Sequence, residues 1–301
     1  MPTVRPLMIT SFALTACSSQ PGAAALADSA GKGSSGRPPD TARIERVLSG
    51  LRPLVEVEGR PAEHWKLADR MSHYNVPGIS IAVVEGGRLS WARGVGVKQA
   101  GTTDSVTPTT LFQAASISKP VTATAMLRLV ERGTLDLDAD VNRYLTSWKM
   151  PDNKFTAQEK VTLRRIASHT AGLTVHGFPG YTTTEPLPTV VQVLNGTKPA
   201  NTEAVRVDTT PGAISRYSGG GTTVMQQLLV DVTSKPFPTL MQELVLGPAS
   251  MTHSTFEQPL PEARASEASR AHDRKGVMVC LVAGTSIRRW RPPVSGPHRR
   301  T

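Results

Sequence analysis

The sequence predicts an α+β domain, and three observations carry the prediction. Two β-rich runs are separated by a Gly-Gly pair near residue 86, a strongly apolar helical segment starts just beyond residue 120, and two further helical segments lie between 224 and 245. No segment recurs at a fixed period, so a repeat architecture is a poor fit.

In chain order, Gly78-Ile-Ser-Ile-Ala-Val-Val-Glu85 and Arg88-Leu-Ser-Trp-Ala-Arg-Gly-Val-Gly-Val97 flank Gly86-Gly87. Glycine pairs tolerate the positive φ values of a tight hairpin turn, so the runs are expected to pair antiparallel. Val121 to Arg132 is apolar at 121, 123, 125, 126, 127, 129 and 130, and Gly133 ends it. Apolar residues on almost every side predict a helix buried on most faces. Thr162 to Ser168 reads as a short helix. Val224, Met225, Leu228, Leu229 and Val232 mark an amphipathic one, and Pro236 to Val245 a third with proline in its first turn. Irregular loops join these segments, and their pattern leaves the topology open.

A chain of 301 residues has room for one large domain or two smaller ones. Counting its 25 glycines with the 39% of strictly apolar residues gives about 47%, an ordinary globular content. Cys17 and Cys280 stand at opposite ends and form neither a disulfide framework nor a cysteine zinc cluster. No apolar run reaches the roughly 18 residues of a membrane span, so any membrane link is expected to be an anchor at one end. The net charge of +10 is concentrated in residues 264–301, where nine Lys/Arg meet two acids. The body is close to balance, and Trp290 alone stands among the closing arginines without any nucleic-acid-binding signature. Nucleic acid is therefore not an expected partner.

Arg5, the apolar stretch Leu7 to Leu14 and Leu14-Thr15-Ala16-Cys17 resemble a bacterial lipoprotein signal peptide, with lipidation expected at Cys17 after removal of residues 1–16. Residues 17–41 are rich in Ser, Gly, Ala and Pro and are expected to form a flexible tether. The folded domain is assigned to residues 42–279. Residues 280–301 hold five Arg and three Pro with no secondary-structure period, an aperiodic basic tail.

Several catalytic signatures are absent: Gly-x-Ser-x-Gly, the phosphate-binding Gly-x-x-x-x-Gly-Lys loop and His-Glu-x-x-His. Ser116-Ile117-Ser118-Lys119 remains. Ser-x-x-Lys arises by chance about once in such a chain, as Ser29 and Lys32 show, and taken alone it reads first as a serine cap with a solvated lysine. Placement adds weight. Pro120 is tolerated only in a helix's first turn, so Ser116 and Lys119 are expected on one face at a helix opening. The positive end of the helix dipole there stabilises an oxyanion and disfavours a protonated Lys119, which can then take the Ser116 proton. Such a pair suits acyl transfer through a serine ester.

Five segments, in order, extend this: Val76-Pro-Gly-Ile-Ser-Ile-Ala-Val, Thr110-Leu-Phe-Gln-Ala-Ala-Ser-Ile-Ser-Lys-Pro-Val-Thr-Ala, Leu135-Asp-Leu-Asp-Ala-Asp-Val-Asn-Arg-Tyr-Leu, Ser168-His-Thr-Ala-Gly-Leu and Arg216-Tyr-Ser-Gly-Gly-Gly. Together they resemble the beta-lactamase-related serine hydrolases, the group of class C beta-lactamases, D-Ala-D-Ala carboxypeptidases and related esterases, over about residues 50 to 279. The resemblance implies a serine beta-lactamase or penicillin-binding-protein-like fold with a helical subdomain and a central antiparallel sheet. It implies Ser116 as nucleophile, Lys119 as general base and Tyr217 as proton relay. It implies no cofactor and no metal. Beta-lactamases often carry Asn where this chain has Gly219, a departure that tilts the expectation toward esterase or peptidase activity.

Other residues read more plainly. The resemblance makes His169 part of a structural turn. Asp136, Asp138 and Asp140 lack the remaining ligands of a calcium loop and are expected on a solvated turn. Gly219 to Gly221 is expected as a close-approach loop beside the site.

The expected protein is an envelope serine hydrolase, lipid-anchored or secreted, acting on a small-molecule ester or amide or a peptidoglycan-derived substrate. Its rival is a catalytically silent lipoprotein or broken gene product that at most binds cell-wall ligands. Proteins it resembles continue into further strands, one bearing Lys-Thr-Gly or His-x-Gly, and neither motif occurs in these 301 residues. The tail has the composition of a GC-rich gene read out of frame. The chain is thus expected to be C-terminally truncated, with an incomplete sheet, an exposed hairpin edge and low activity.

Overall fold

The computed structural model describes residues 41–182, 185–273, 275–276, 278–279 and 281–282. The expected signal peptide, Cys17 with its expected lipidation, and the expected tether up to residue 40 lie outside the described residues, as does the tail beyond 282. The expected mixed fold is present. In order, α1 is Thr41–Ser49, α2 Leu67–His73, β1 Gly78–Glu85, β2 Arg88–Gly96, α3 Ser118–Glu131, α4 Lys154–Gln158, α5 Leu163–Ala167, β3 Tyr181–Thr182 and α6 Val190–Asn195. Then follow α7 Gly219–Thr233, α8 Phe237–Met241, β4 Ala271–His272, β5 Met278–Val279 and β6 Leu281–Val282.

The hairpin forms as its sequence predicts. Gly86 and Gly87 adopt φ of +56° and +73°, the two left-handed residues that a tight hairpin turn demands and glycine supplies without strain. Pairing runs from Gly78 opposite Gly96 to Glu85 opposite Arg88, with an irregularity between Val83 and Val84. Among the described residues every sheet is two-stranded: β1 with β2, β3 with β6, β4 with β5. Trp91 packs inward at 7% exposure, whereas Val84 and Leu89, at 65% and 64%, face outward. The β3–β6 pair reaches beyond the boundary set at residue 279. There Val282 pairs with Tyr181 and Leu281 with Thr182.

Two helices exchange the environments that their patterns predict. The buried residues of α3 are Lys119, Thr122, Ala125, Met126 and Leu129, one stripe at helical spacing, and Leu127 stays 49% exposed. The amphipathic-looking α7 is instead the central helix, buried at every position from Gly219 to Leu229. It packs against α3, α5, α6 and α8. Its polar positions are satisfied internally: Gln227 Nε2 donates to Ser147 Oγ at 2.7 Å and to Asp231 Oδ1 at 2.9 Å. Asp231 in turn accepts the backbone N–H groups of Thr146 and Ser147 at 2.7 and 3.0 Å. A hydropathy pattern counts these residues as solvent-facing, but a loop that caps them makes their burial affordable. Leu145, Leu163, Leu173, Leu194, Leu228, Leu229 and Met241, all under 2% exposed or at that mark, fill the space around α7. Each such side chain contributes roughly 1.5–3 kcal/mol by leaving water.

Candidate active site

Ser116 lies in a 3-10 turn, Ala115–Ile117, that runs directly into α3. Pro120 is the third residue of α3, within the first turn, where its missing N–H costs nothing. Ala115, just before Ser116, has φ +46°, a left-handed conformation that L-residues adopt only at a cost of about 1–2 kcal/mol. Two more left-handed non-glycine residues, His169 and Val175, both at φ +59°, stand near the same site.

Lys119 lies on the buried stripe of α3 and is 8% exposed. Its Nζ donates to Ser116 Oγ at 3.5 Å. Burial pulls the ammonium below its usual pKa, and the neighbouring Tyr217 hydroxyl only partly opposes this. Tyr217, distant in sequence, donates from its hydroxyl to the same Oγ at 2.9 Å, and Lys119 Nζ sits 4.8 Å from the phenol ring centroid. Burial raises the Tyr217 pKa, but the hydrogen bonds with Lys119 and Ser116 and the Lys119 charge outweigh it and leave the phenol below its ordinary value. The structure thus brings Ser116, Lys119 and Tyr217 together.

Tyr217 is held by the segments around it. Residues 172–176 run beside 204–208, with Thr174 N–H donating to Arg206 O at 2.9 Å and Asp208 N–H to Gly172 O at 3.1 Å. The Arg216 guanidinium spans this edge, bonding Asp208 and the Gly172 carbonyl. That contact holds the Asp208 carboxyl below the usual carboxylate range. After Tyr217, Ser218 caps α7: its Oγ accepts from Gly221 N–H at 3.0 Å and donates to Thr174 O at 2.7 Å.

Gly219 to Gly221 are the first turn of α7 and not the loop that sequence suggests. The close approach is real. A Cβ on Gly220 would lie 2.8 Å from Val205 Cγ2 and 2.9 Å from Thr174 O, so the helix start can press against segments 174 and 205 only without side chains.

His169 packs its ring 4.5 Å from that of Tyr217. His176, which sequence reading passed over, packs on the phenol at 5.0 Å and bonds through Nδ1 to Tyr217 O at 3.1 Å. No spacing rule marks His176; the strained Val175 beside it becomes visible only in the backbone. The three aspartates have ordinary roles. Asp136 accepts from Asp138 N–H at 2.9 Å, Asp138 forms a two-point ion pair with Arg164 at 2.7 and 2.8 Å, and Asp140 caps Asn142 N–H at 2.9 Å.

Residues 66–289 match the family described as Beta-lactamase, about three quarters of the chain. The chain belongs to the beta-lactamase family. The match, like the β3–β6 pair, runs past Val279. Within the family, Protein flp of Staphylococcus aureus is 28% identical over 189 residues, which cover 61% of this chain and 36% of that protein. The mitochondrial serine beta-lactamase-like protein LACTB of Bos taurus is 29% identical over 137 residues, 45% of this chain and 22% of that one. This chain therefore matches about a third or less of the length of these relatives.

Solved structures agree on the serine beta-lactamase fold. A beta-lactamase/D-alanine carboxypeptidase from Yersinia pestis, complexed with citrate, superposes with a TM-score of 0.56 at 21% identity, covering 71% of this chain and 61% of that one. The D-alanine carboxypeptidase AmpC from Burkholderia cenocepacia gives 0.55 at 25% identity, with 73% and 55% covered.

Proposed function

We propose that this chain is a serine hydrolase that forms an acyl-enzyme at Ser116 from an ester or amide. The observation that carries the reading is the convergence of Lys119 Nζ and Tyr217 Oη on one serine oxygen, with the lysine buried so that its neutral form is favoured. Ser116 Oγ attacks the carbonyl carbon as its proton passes to Lys119 Nζ. The bond to the leaving group then breaks, the leaving group takes the Tyr217 proton, and Lys119 reprotonates Tyr217. Water hydrolyses the acyl ester by the reverse relay, giving its proton to the Lys119–Tyr217 pair as Ser116 regains one. The start of α3 presents its positive dipole end to the oxyanion.

Gly219 supplies no side-chain amide, which favours esters or peptidoglycan-derived peptides over beta-lactams. The proposed location is the bacterial cell envelope, through a lipid on Cys17 or as a secreted protein. The rival reading is a catalytically silent member that at most binds cell-wall ligands. One experiment separates the two: treatment with a fluorophosphonate or penicillin probe and mapping of the adduct by mass spectrometry. An adduct on Ser116, lost in Ser116→Ala with the fold retained, supports the hydrolase; a wild-type chain that takes no label supports the silent protein.

A further inference from the structure

His169 occupies an unusual place for its residue type. It follows Ser168, the C-cap of α5. Thr170 N–H donates to Arg165 O at 2.8 Å and His169 N–H to Ile166 O at 3.1 Å. That crossed pair of bonds closes a helix with a left-handed residue at the position that glycine usually fills. Here the left-handed residue is a histidine at φ +59°. Glycine would relieve the backbone, so the imidazole is retained against local preference, and its contacts show what it does.

Tyr217 is flanked by His169 on both sides of its backbone. Arg216 N–H donates to His169 O at 2.8 Å, and Ser218 N–H donates to His169 Nδ1 at 3.3 Å. An amide nitrogen can only donate, so Nδ1 must offer its lone pair, and His169 is neutral with its proton on Nε2. The opposite holds at His176, whose Nδ1 meets the Tyr217 carbonyl at 3.1 Å. A carbonyl can only accept, so that Nδ1 carries hydrogen. Two imidazoles thus engage the Tyr217 backbone region through Nδ1 in opposite roles, His169 accepting and His176 donating.

We propose that His169 is a positioning residue for Tyr217, its Nδ1 lone pair holding the Ser218 amide so that the phenol stays aimed at Ser116. The inference rests on the acyl-enzyme reading above for its kinetic consequence, though not for its geometry. Protonation of His169 sets an N–H against the Ser218 N–H and releases the grip. The groups facing the imidazole are Tyr217, Lys119 from α3 and His176. Burial first, then the Lys119 and His176 charges, hold His169 below its ordinary pKa of 6.5, which favours the neutral form that the Ser218 contact requires.

The test uses the full chain and two variants. His169→Gly suits the left-handed backbone and removes the acceptor. His169→Asn tolerates the same backbone and returns an oxygen near the Nδ1 position. Acylation by a fluorophosphonate probe is expected to slow roughly 10- to 100-fold in His169→Gly, the effect of misplacing a reacting group, with thermal stability at or above wild type. His169→Asn is expected to recover most of the rate. Its acid limb should depend on one proton fewer than that of wild type, because the group that unlatches is gone. In parallel, ring ¹⁵N NMR of the wild-type chain should show His169 protonated on Nε2 and His176 on Nδ1.

A His169→Gly variant that is acylated at the wild-type rate overturns the proposal, as does a His169 that carries its proton on Nδ1. A wild-type chain that no probe labels refutes the hydrolase reading instead, and the tautomer measurement then decides the positioning geometry alone.

Discussion

Tyr217 Oη stands 2.9 Å from Ser116 Oγ although 101 residues separate them in the chain. Two structural choices make this meeting. Ser116 is fixed by a 3-10 turn that feeds α3, and Tyr217 lies two residues before α7, the central buried helix. Because α3 and α7 pack on each other, Ser116 and Tyr217 are placed by the core itself.

Removing either proton carrier should therefore slow acylation without unfolding the chain. Lys119→Ala and Tyr217→Phe are each expected to lose roughly 100- to 10,000-fold, the range for losing general acid–base help. Rapid-quench labelling of Ser116 measures it. A near-normal rate in either variant removes that residue from the mechanism.

The burial that suits Lys119 for this role also costs stability, and the sign is fixed by its lowered pKa. Below the unfolded value of 10.5, the unfolded chain binds the proton more readily than the folded one, so stability rises with pH through that window. Lys119→Met removes the penalty. It is expected to melt at a higher temperature than wild type at neutral pH, with the difference shrinking as pH approaches 10.5. A Lys119→Met variant of unchanged or lower stability across this range contradicts the assignment of burial as the cause.

The hairpin and the placement of Ser116 and Lys119 at the opening of α3 were legible in the sequence, because both are local. Gly86-Gly87 dictates its own turn, and Pro120 dictates where α3 can begin. What the sequence could not carry was set by distant partners. Val121 to Val130 looks more apolar than α7, yet α7 is the buried helix, since Ser147, 80 residues upstream, accepts from Gln227 and donates to Asp231 on the same helix. Gly219 to Gly221 suggested a loop, since three glycines disfavour a helix; the approach of Val205 and Thr174 decided otherwise. His176 had no signal, for its role depends on a backbone turn at Val175.

This exchange of environments can be measured. Leu228→Ala on α7, at 0% exposure, is expected to cost about 2–5 kcal/mol. Leu127→Ala on α3, at 49% exposure, should stay within about 0.5 kcal/mol. Urea unfolding of both variants is the check, and equal losses would show that α3 is buried on the face carrying Leu127.

Lipidation at Cys17 is expected to appear as a mature N-terminus at that residue with a diacylglyceryl mass. Intact mass spectrometry of membrane-extracted protein tests this directly. A product that starts near Ala25 without lipid supports ordinary secretion instead.

Gly220→Ala sets two opposed effects against each other. Within a helix, alanine is favoured over glycine by roughly 1 kcal/mol, so at an open position the change stabilises. Here the new Cβ falls 2.8 Å from Val205 Cγ2 and 2.9 Å from Thr174 O. The valine methyl has some room to turn, but the carbonyl is backbone, and it also accepts the Ser218 hydroxyl. Overpacking of this kind costs about 1–3 kcal/mol, so the clash is expected to prevail and the variant to lose stability. The first turn of α7 must move to relieve it, and Tyr217 lies three residues upstream, so acylation should slow as well. Val205→Ala in the same chain removes the methyl contact and leaves the carbonyl one. It should therefore restore only part of the loss, and full restoration by Val205→Ala would mean that Thr174 O is not what holds the helix start in place.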